Sequence, residues 1–342
     1  MNAVFSNVPP SETSEAEFSK GKAVVGFVLN PYDIACELPY ELAPGCSFER
    51  ASPQMTETIK SALKDYVHPQ SWVKPAHLYE CDIVREVHEN GHSWGAVARP
   101  QKDWRYHVVF NSDDNGVKNI NMNLIANITD TPLQTSSLYF HYENGKPHGM
   151  GCNPGVMHNY FSLPTEMAAI SIGEPELALI RDTATDFHAV FGDALTPKRH
   201  PELHRAINMF DALKQLPTKS EYQLLGLFAI IEMLITHNPK LEDRGDSITH
   251  QMQTKIPLLA NRFNRKLDYA SYFDNASEKR IWTALYSLRS SVAHGGETNV
   301  NRPDLRVLKD FHQAVSFVRS VVKGLLRHSL KDPQLYLDIK NC

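Results

Sequence analysis

The chain has 342 residues, enough for two domains with a core each at roughly 100–200 residues per domain. Its composition, 42% hydrophobic, 22% charged and 9% aromatic, excludes collagen, extended disorder and low complexity. The net charge of −4 conceals two opposite halves: 13 Lys and Arg against 24 Asp and Glu up to Pro197, a net of −11, then 22 against 15 from Lys198 onward, a net of +7.

In chain order, Met1–Lys22 places Glu12, Glu15 and Glu17 ahead of the first basic residue and has no apolar stretch, so residues 1–21 read as a flexible leader rather than a targeting peptide. Residues 22–170 read as a β-rich domain, with strands at Ala23–Leu29, Leu78–Val87, Trp104–Phe110, Ile120–Ile128 and Ser137–Tyr142. Glu89-Asn90-Gly91, Asp113-Asp114-Asn115-Gly116 and Glu143-Asn144-Gly145-Lys146 supply Asn-Gly turn chemistry. Repeated hairpins predict a mostly antiparallel sandwich or barrel. One short helix, Thr56–Val67, interrupts the strands, because Ile59, Leu63 and Val67 share a face.

From Glu174 the period becomes helical. Leu177, Ile180, Phe187 and Val190 mark a connecting segment over 171–200, with a break at Thr196-Pro197. A helical bundle is predicted over 201–330, from helices Glu202–Leu216, Ser220–His237, Ile248–Phe263, Glu278–Ala293 and Asp304–His328. Residues 331–342 form a C-terminal tail. The fold class is therefore α+β with two domains.

No apolar run nears the 18 or so residues of a membrane-spanning helix; the longest, Leu224 to Ile235, is interrupted by Gly226 and Glu232, so no membrane partner is expected. The five cysteines, Cys36, Cys46, Cys81, Cys152 and Cys342, are odd in number and scattered, which suits free thiols in a cytoplasmic protein. The basic half suits a polyanion, and the acidic half could mask it; solvated faces are the plain alternative. His141, His148, Cys152 and His158 surround a Gly-rich turn but match no standard zinc frame, and His200 and His204 share a helix face only if Pro201 opens that helix. Trp72, Trp94, Trp104 and Tyr106 read as core residues before they read as a recognition surface. Phosphate-loop, dinucleotide and nucleophile-elbow motifs are absent from the sequence.

The segment richest in chemistry is Leu285-Tyr286-Ser287-Leu288-Arg289-Ser290-Ser291-Val292-Ala293-His294-Gly295-Gly296. Arg289 and His294 stand five residues apart, more than one helical turn. They face a common pocket only if the helix ends or distorts at His294, which Gly295-Gly296 would permit. Such a pair suits phosphodiester chemistry, because a guanidinium holds the phosphate while a histidine moves a proton near neutrality. The plain alternative is a salt bridge and a helix C-terminal cap.

This stretch resembles the Arg-x4-His signature of the HEPN superfamily, and in particular the ApeA-like HEPN group, whose helix reads like LYxLRSxxxHG. The resemblance extends to the acid-bearing helix Phe228-Ala229-Ile230-Ile231-Glu232-Met233-Leu234-Ile235 and covers roughly Glu202 to His328. It implies an HEPN-type bundle, a homodimer through that bundle, no cofactor or metal, and a metal-independent endoribonuclease acting as a toxin or effector of bacterial antiviral, abortive-infection defence. By carry-over, Arg289 contacts the phosphate and His294 serves as acid/base in attack by the ribose 2′-hydroxyl, leaving a 2′,3′-cyclic phosphate. Ser290 orients the phosphate or His294, Glu232 pairs with Arg289, and Tyr286 and Gly295 support the site. The acidic half is then a sensor or restraint, answering a phage or host trigger. The same resemblance embraces non-catalytic modules that bind RNA or protein, and accessory subunits paired with a nucleotidyltransferase.

Overall fold

A computed structural model of the protein describes residues 21–64, 75–88, 91–113, 116–162, 169–192, 197–217, 220–238, 247–296 and 298–341. Leader residues 1–20, Val67, Trp72, Glu89-Asn90, Asp114-Asn115, Thr196 and Cys342 lie outside them, as does the side chain of Trp94. The chain divides into two compact units, Met1–Thr185 and Asp186–Cys342. The first is α+β and the second all-α, as the two-domain reading expects.

The first unit is built on strands β1 (Lys22–Phe27), β3 (Tyr40–Ala43), β4 (Cys46–Arg50), β7 (His107–Asn111), β8 (Leu138–Glu143) and β9 (Lys146–Cys152), in the antiparallel order β3-β4-β7-β1-β8-β9. A parallel pair, β2 (Tyr32–Ile34) with β10 (Ile170–Ile172), and a hairpin, β5 (Cys81–His88) with β6 (Gly91–Ala98), complete its sheets among the described residues. The β8–β9 turn has both central residues at positive φ, Asn144 at 51° and Gly145 at 74°, as a type I′ hairpin requires.

Ala23, Val25 and Phe27 of β1 point to one face. There they join Val108 and Phe110 of β7, and Phe140 of β8, in a core closed by helices α1 (Pro53–Lys64), α2 (Pro75–Glu80) and α4 (Pro154–Ser162). Helix α3 (Gly116–Asn127) packs on β1 and β7 and buries Met122, Leu124, Ile125 and Ala126. The second layer that a sandwich would draw from strands is therefore helical.

This corrects the strand expected at Ile120–Ile128. Apolar residues alternate there with Asn121 and Asn123, but those asparagines are themselves buried, so the alternation reports residue type and not a water-facing side. The Leu78–Val87 strand likewise begins only at Cys81, after α2. Tyr106 is buried in the core, and Trp104 packs partly against it.

Helix α5 (Glu174–Phe191) contains the division between the units. The second unit follows with α6 (Pro201–Ala212), α7 (Glu221–Ile235), α8 (Ile248–Ala260), α9 (Tyr269–Phe273), α10 (Glu278–Ala293), α11 (Phe311–Lys331) and α12 (Pro333–Asn341). Helix α7 is apolar on nearly every side because it packs against α6, α8, α10, α11 and α12. Burying side chains such as Leu227, Phe228 and Ile231 contributes about 2 kcal/mol each.

The last long helix begins at Phe311 rather than Asp304. Asp310 caps it by accepting the His312 and Gln313 N–H groups at 2.7 and 3.0 Å, after Lys309 has taken a φ of 59°. The stretch 331–342, read as a tail, holds α12.

Candidate active site

Helix α10 buries Ile281, Leu285, Leu288 and Val292 on one stripe at helical spacing. Its two flanks carry the candidate residues. On one flank, the Arg289 Nη2 donates to Glu232 Oε2 at 3.2 Å and stands 3.0 Å from Oε1, a charge contact without hydrogen-bond alignment. The guanidinium carbon lies 5.6 Å from the centroid of Tyr286, whose ring meets Phe228 edge-on at 6.3 Å. The acid set among apolar residues in the last turns of α7 has thus found the cation that its burial demands. Burial pushes the Glu232 carboxyl above its ordinary pKa, more than the charge and hydrogen bond of Arg289 pull it down. Arg289 Nε is buried with no hydrogen-bond partner among the described residues.

On the other flank, α10 stays regular through Ala293, and His294 is its exposed cap residue at φ −100°. Gly295 follows at φ 72°, its N–H bonding the Val292 carbonyl at 3.1 Å, while the Gly296 N–H bonds the Ser291 carbonyl at 2.8 Å. These two bonds are a Schellman closure, and the left-handed residue it needs is the reason for a glycine at 295.

His294 lines an open cleft of about 310 Å³ with Ser287, Ser290, Ser291, Gly296 and Arg302. Arg302 is held in place by Asp304, with Nε and Nη2 at 3.3 and 3.0 Å from the two carboxylate oxygens. Its Nη1 donates to Ser291 Oγ at 3.3 Å, and Ser287 Oγ donates to Asp304 at 3.0 Å.

Within one chain, therefore, Glu232, Arg289 and Tyr286 come together, and Ser290 and His294 come together, but the two sets occupy different flanks. Five residues at 100° each place Arg289 and His294 about 140° apart on the helix. The cation that shares the cleft with His294 is Arg302. It lies in the loop after α10, and apolar periodicity gives no signal there; the Arg302-Pro303-Asp304 pairing just beyond the double glycine is the only hint.

The other clusters stay apart. Among the described residues, no three His, Cys, Asp or Glu side chains converge in a way that would hold a metal. The rings of His141 and His148 are 5.9 Å apart, and His200 sits at the left-handed N-cap position of α6 with Pro201 after it. Among the described residues, no helix is long and apolar enough to cross a membrane. No family model, curated protein or solved structure matches this chain.

Proposed function

We propose that the protein is a metal-independent endoribonuclease whose centre is the end of α10, and that it acts as an effector of antiviral defence. The observation that carries the reading is an exposed histidine sharing an open cleft with an arginine held by Asp304, on the same helix whose Arg289 is held by Glu232. In the reaction, the 2′-oxygen attacks phosphorus as His294 takes its proton. The bond to the 5′-oxygen breaks, that oxygen is reprotonated, and a 2′,3′-cyclic phosphate remains. Cationic groups offset the charge that builds on the phosphoryl oxygens. A homodimer brings Arg289 of one protomer toward His294 of the other, joining flanks that one chain keeps apart. The acidic first half restrains the basic second half until a trigger arrives.

A second reading draws on the turn of Arg289 toward Glu232 and away from the His294 cleft. In it the bundle binds RNA or a protein without cutting. Incubating total cellular RNA with full-length protein in EDTA separates the two. Cleavage by the wild type that disappears in both His294→Ala and Arg289→Ala supports the nuclease; intact RNA with all three proteins favours the binding module.

A further inference from the structure

The second unit contains a larger cavity, of about 470 Å³, between the N-terminus of α6, helix α7, the end of α11 and helix α12. Its walls are Leu203, Met233, Leu234, Pro333 and Leu337. Leu337 is 39% exposed, so an apolar wall faces water. Cavities of 300–1,000 Å³ with apolar walls and a few converging polar groups are the usual form of a small-molecule site.

Charged side chains line the same cavity. Lys340 is held by Glu202 at 2.7 Å, which offsets its charge, and Arg199 contributes a further positive charge to the lining. The start of α6, His200 to Glu202, lines the same cavity, and its N-cap residue His200 makes no side-chain capping hydrogen bond, so the positive end of the helix dipole is uncapped by a side chain there. Apolar walls with a net positive charge in the lining suit an amphipathic anion.

We propose that this cavity binds a small amphipathic anion, an acyl or aryl body carrying a single anionic head, with the body against Met233, Leu234 and Leu337 and the head at Arg199 and the α6 N-terminus. The site is separate from the α10 cleft and does not depend on the nuclease reading. Any carboxylate or phosphate head meets the same chemistry.

The test uses full-length protein, laurate as the probe and dodecyltrimethylammonium as a chain of equal length and opposite charge. Calorimetric titration below the micellar range should show laurate binding to the wild type with at least about tenfold preference over the cation. Arg199→Glu reverses the lining charge, and Leu337→Glu places a carboxylate in the wall at an exposed position. Each should weaken laurate binding by about tenfold or more while leaving the melting temperature of the ligand-free protein unchanged. Absence of laurate binding to the wild type, equal binding of the two chains, or unchanged affinity in both variants would overturn the proposal. If Leu337→Glu lowers the melting temperature, the exposed Arg199→Glu variant decides the matter alone.

Discussion

Two guanidinium–carboxylate clusters, one in each unit, are built on opposite principles. Around Arg105, whose side chain is 7% exposed, every guanidinium nitrogen has an acceptor. Nε and Nη2 meet the two oxygens of Asp33 at 2.9 and 3.1 Å, Nη2 also meets Asp82 at 2.6 Å, and Nη1 donates to the Cys81 carbonyl at 2.8 Å. Arg99 bridges the same two aspartates at 2.8 and 3.0 Å. Burial pushes the Asp33 carboxyl up, but the hydrogen bonds and charges of Arg105 and Arg99 outweigh it and hold the group below its ordinary pKa. Around Arg289 the balance is reversed: Nε is without an acceptor among the described residues, and Glu232 is held above its ordinary pKa. The saturated cluster ties Asp33 of β2 and Asp82 of β5 to Arg99 and Arg105, the second of which stands just ahead of β7; the one at Arg289 leaves a buried donor without an acceptor among the described residues.

The strongest way to break this contrast is Arg105→Ala, which takes the Arg105 donor from the Leu78 and Cys81 carbonyls and leaves Arg99 as the remaining arginine on both aspartates. A loss of about 3 kcal/mol in chemical unfolding is expected, and Arg105→Lys should not restore it, because an ammonium cannot reproduce the planar fork. A loss under about 1 kcal/mol would place the cluster among ordinary surface pairs.

Glu232→Gln sharpens the other side. It keeps the side-chain shape and removes a charge that burial disfavours, so stability should move by less than about 1 kcal/mol while RNA cleavage falls about tenfold as Arg289 loses its anchor. Undiminished cleavage with a large loss of stability would make this pair a second fastener. Arg302→Ala should lower cleavage about fivefold and leave unfolding within about 0.5 kcal/mol of wild type, since its pair with Asp304 is exposed. An unchanged cleavage rate would remove Arg302 from the cleft's chemistry.

The smallest effect is in pH, and its sign differs between the clusters. Glu232 has a folded pKa above its unfolded value, so its ionisation costs stability above the folded pKa. That cost is relieved as pH falls from there toward the ordinary 4.5. Asp33 has a folded pKa below the ordinary 3.8, so its contribution is complete above that value and is lost as pH falls through the folded pKa. Thermal melts across pH 7 to 3 should therefore show wild type gaining on Glu232→Gln as the acid range is entered, and losing its advantage over Asp33→Asn only at the lowest pH. Parallel curves would contradict both assignments.

The sequence displayed the parts of this contrast unevenly. The α10 helix, its double-glycine end and the Glu232–Arg289 partnership were legible, because an acid set among apolar residues must find a cation and a glycine pair marks a C-terminus. The Arg105 cluster was not, since its four charged residues lie up to 72 positions apart and meet only in the folded unit. Helix α3 was misread because its polar residues are buried, and α12 was missed although Asp332-Pro333 carries a helix-start signal. Arg302 was hidden by its place in a loop, where residue spacing reports nothing about what faces His294.

The most direct test of the central claim is an RNA oligonucleotide cut by the full-length protein in EDTA, set against the same strand carrying a single 2′-deoxy sugar at the cleaved position. The account predicts 2′,3′-cyclic phosphate ends on the all-ribose strand, no scission at the deoxy position, and no product with His294→Ala. Scission that survives either the deoxy substitution or the loss of His294 would contradict it.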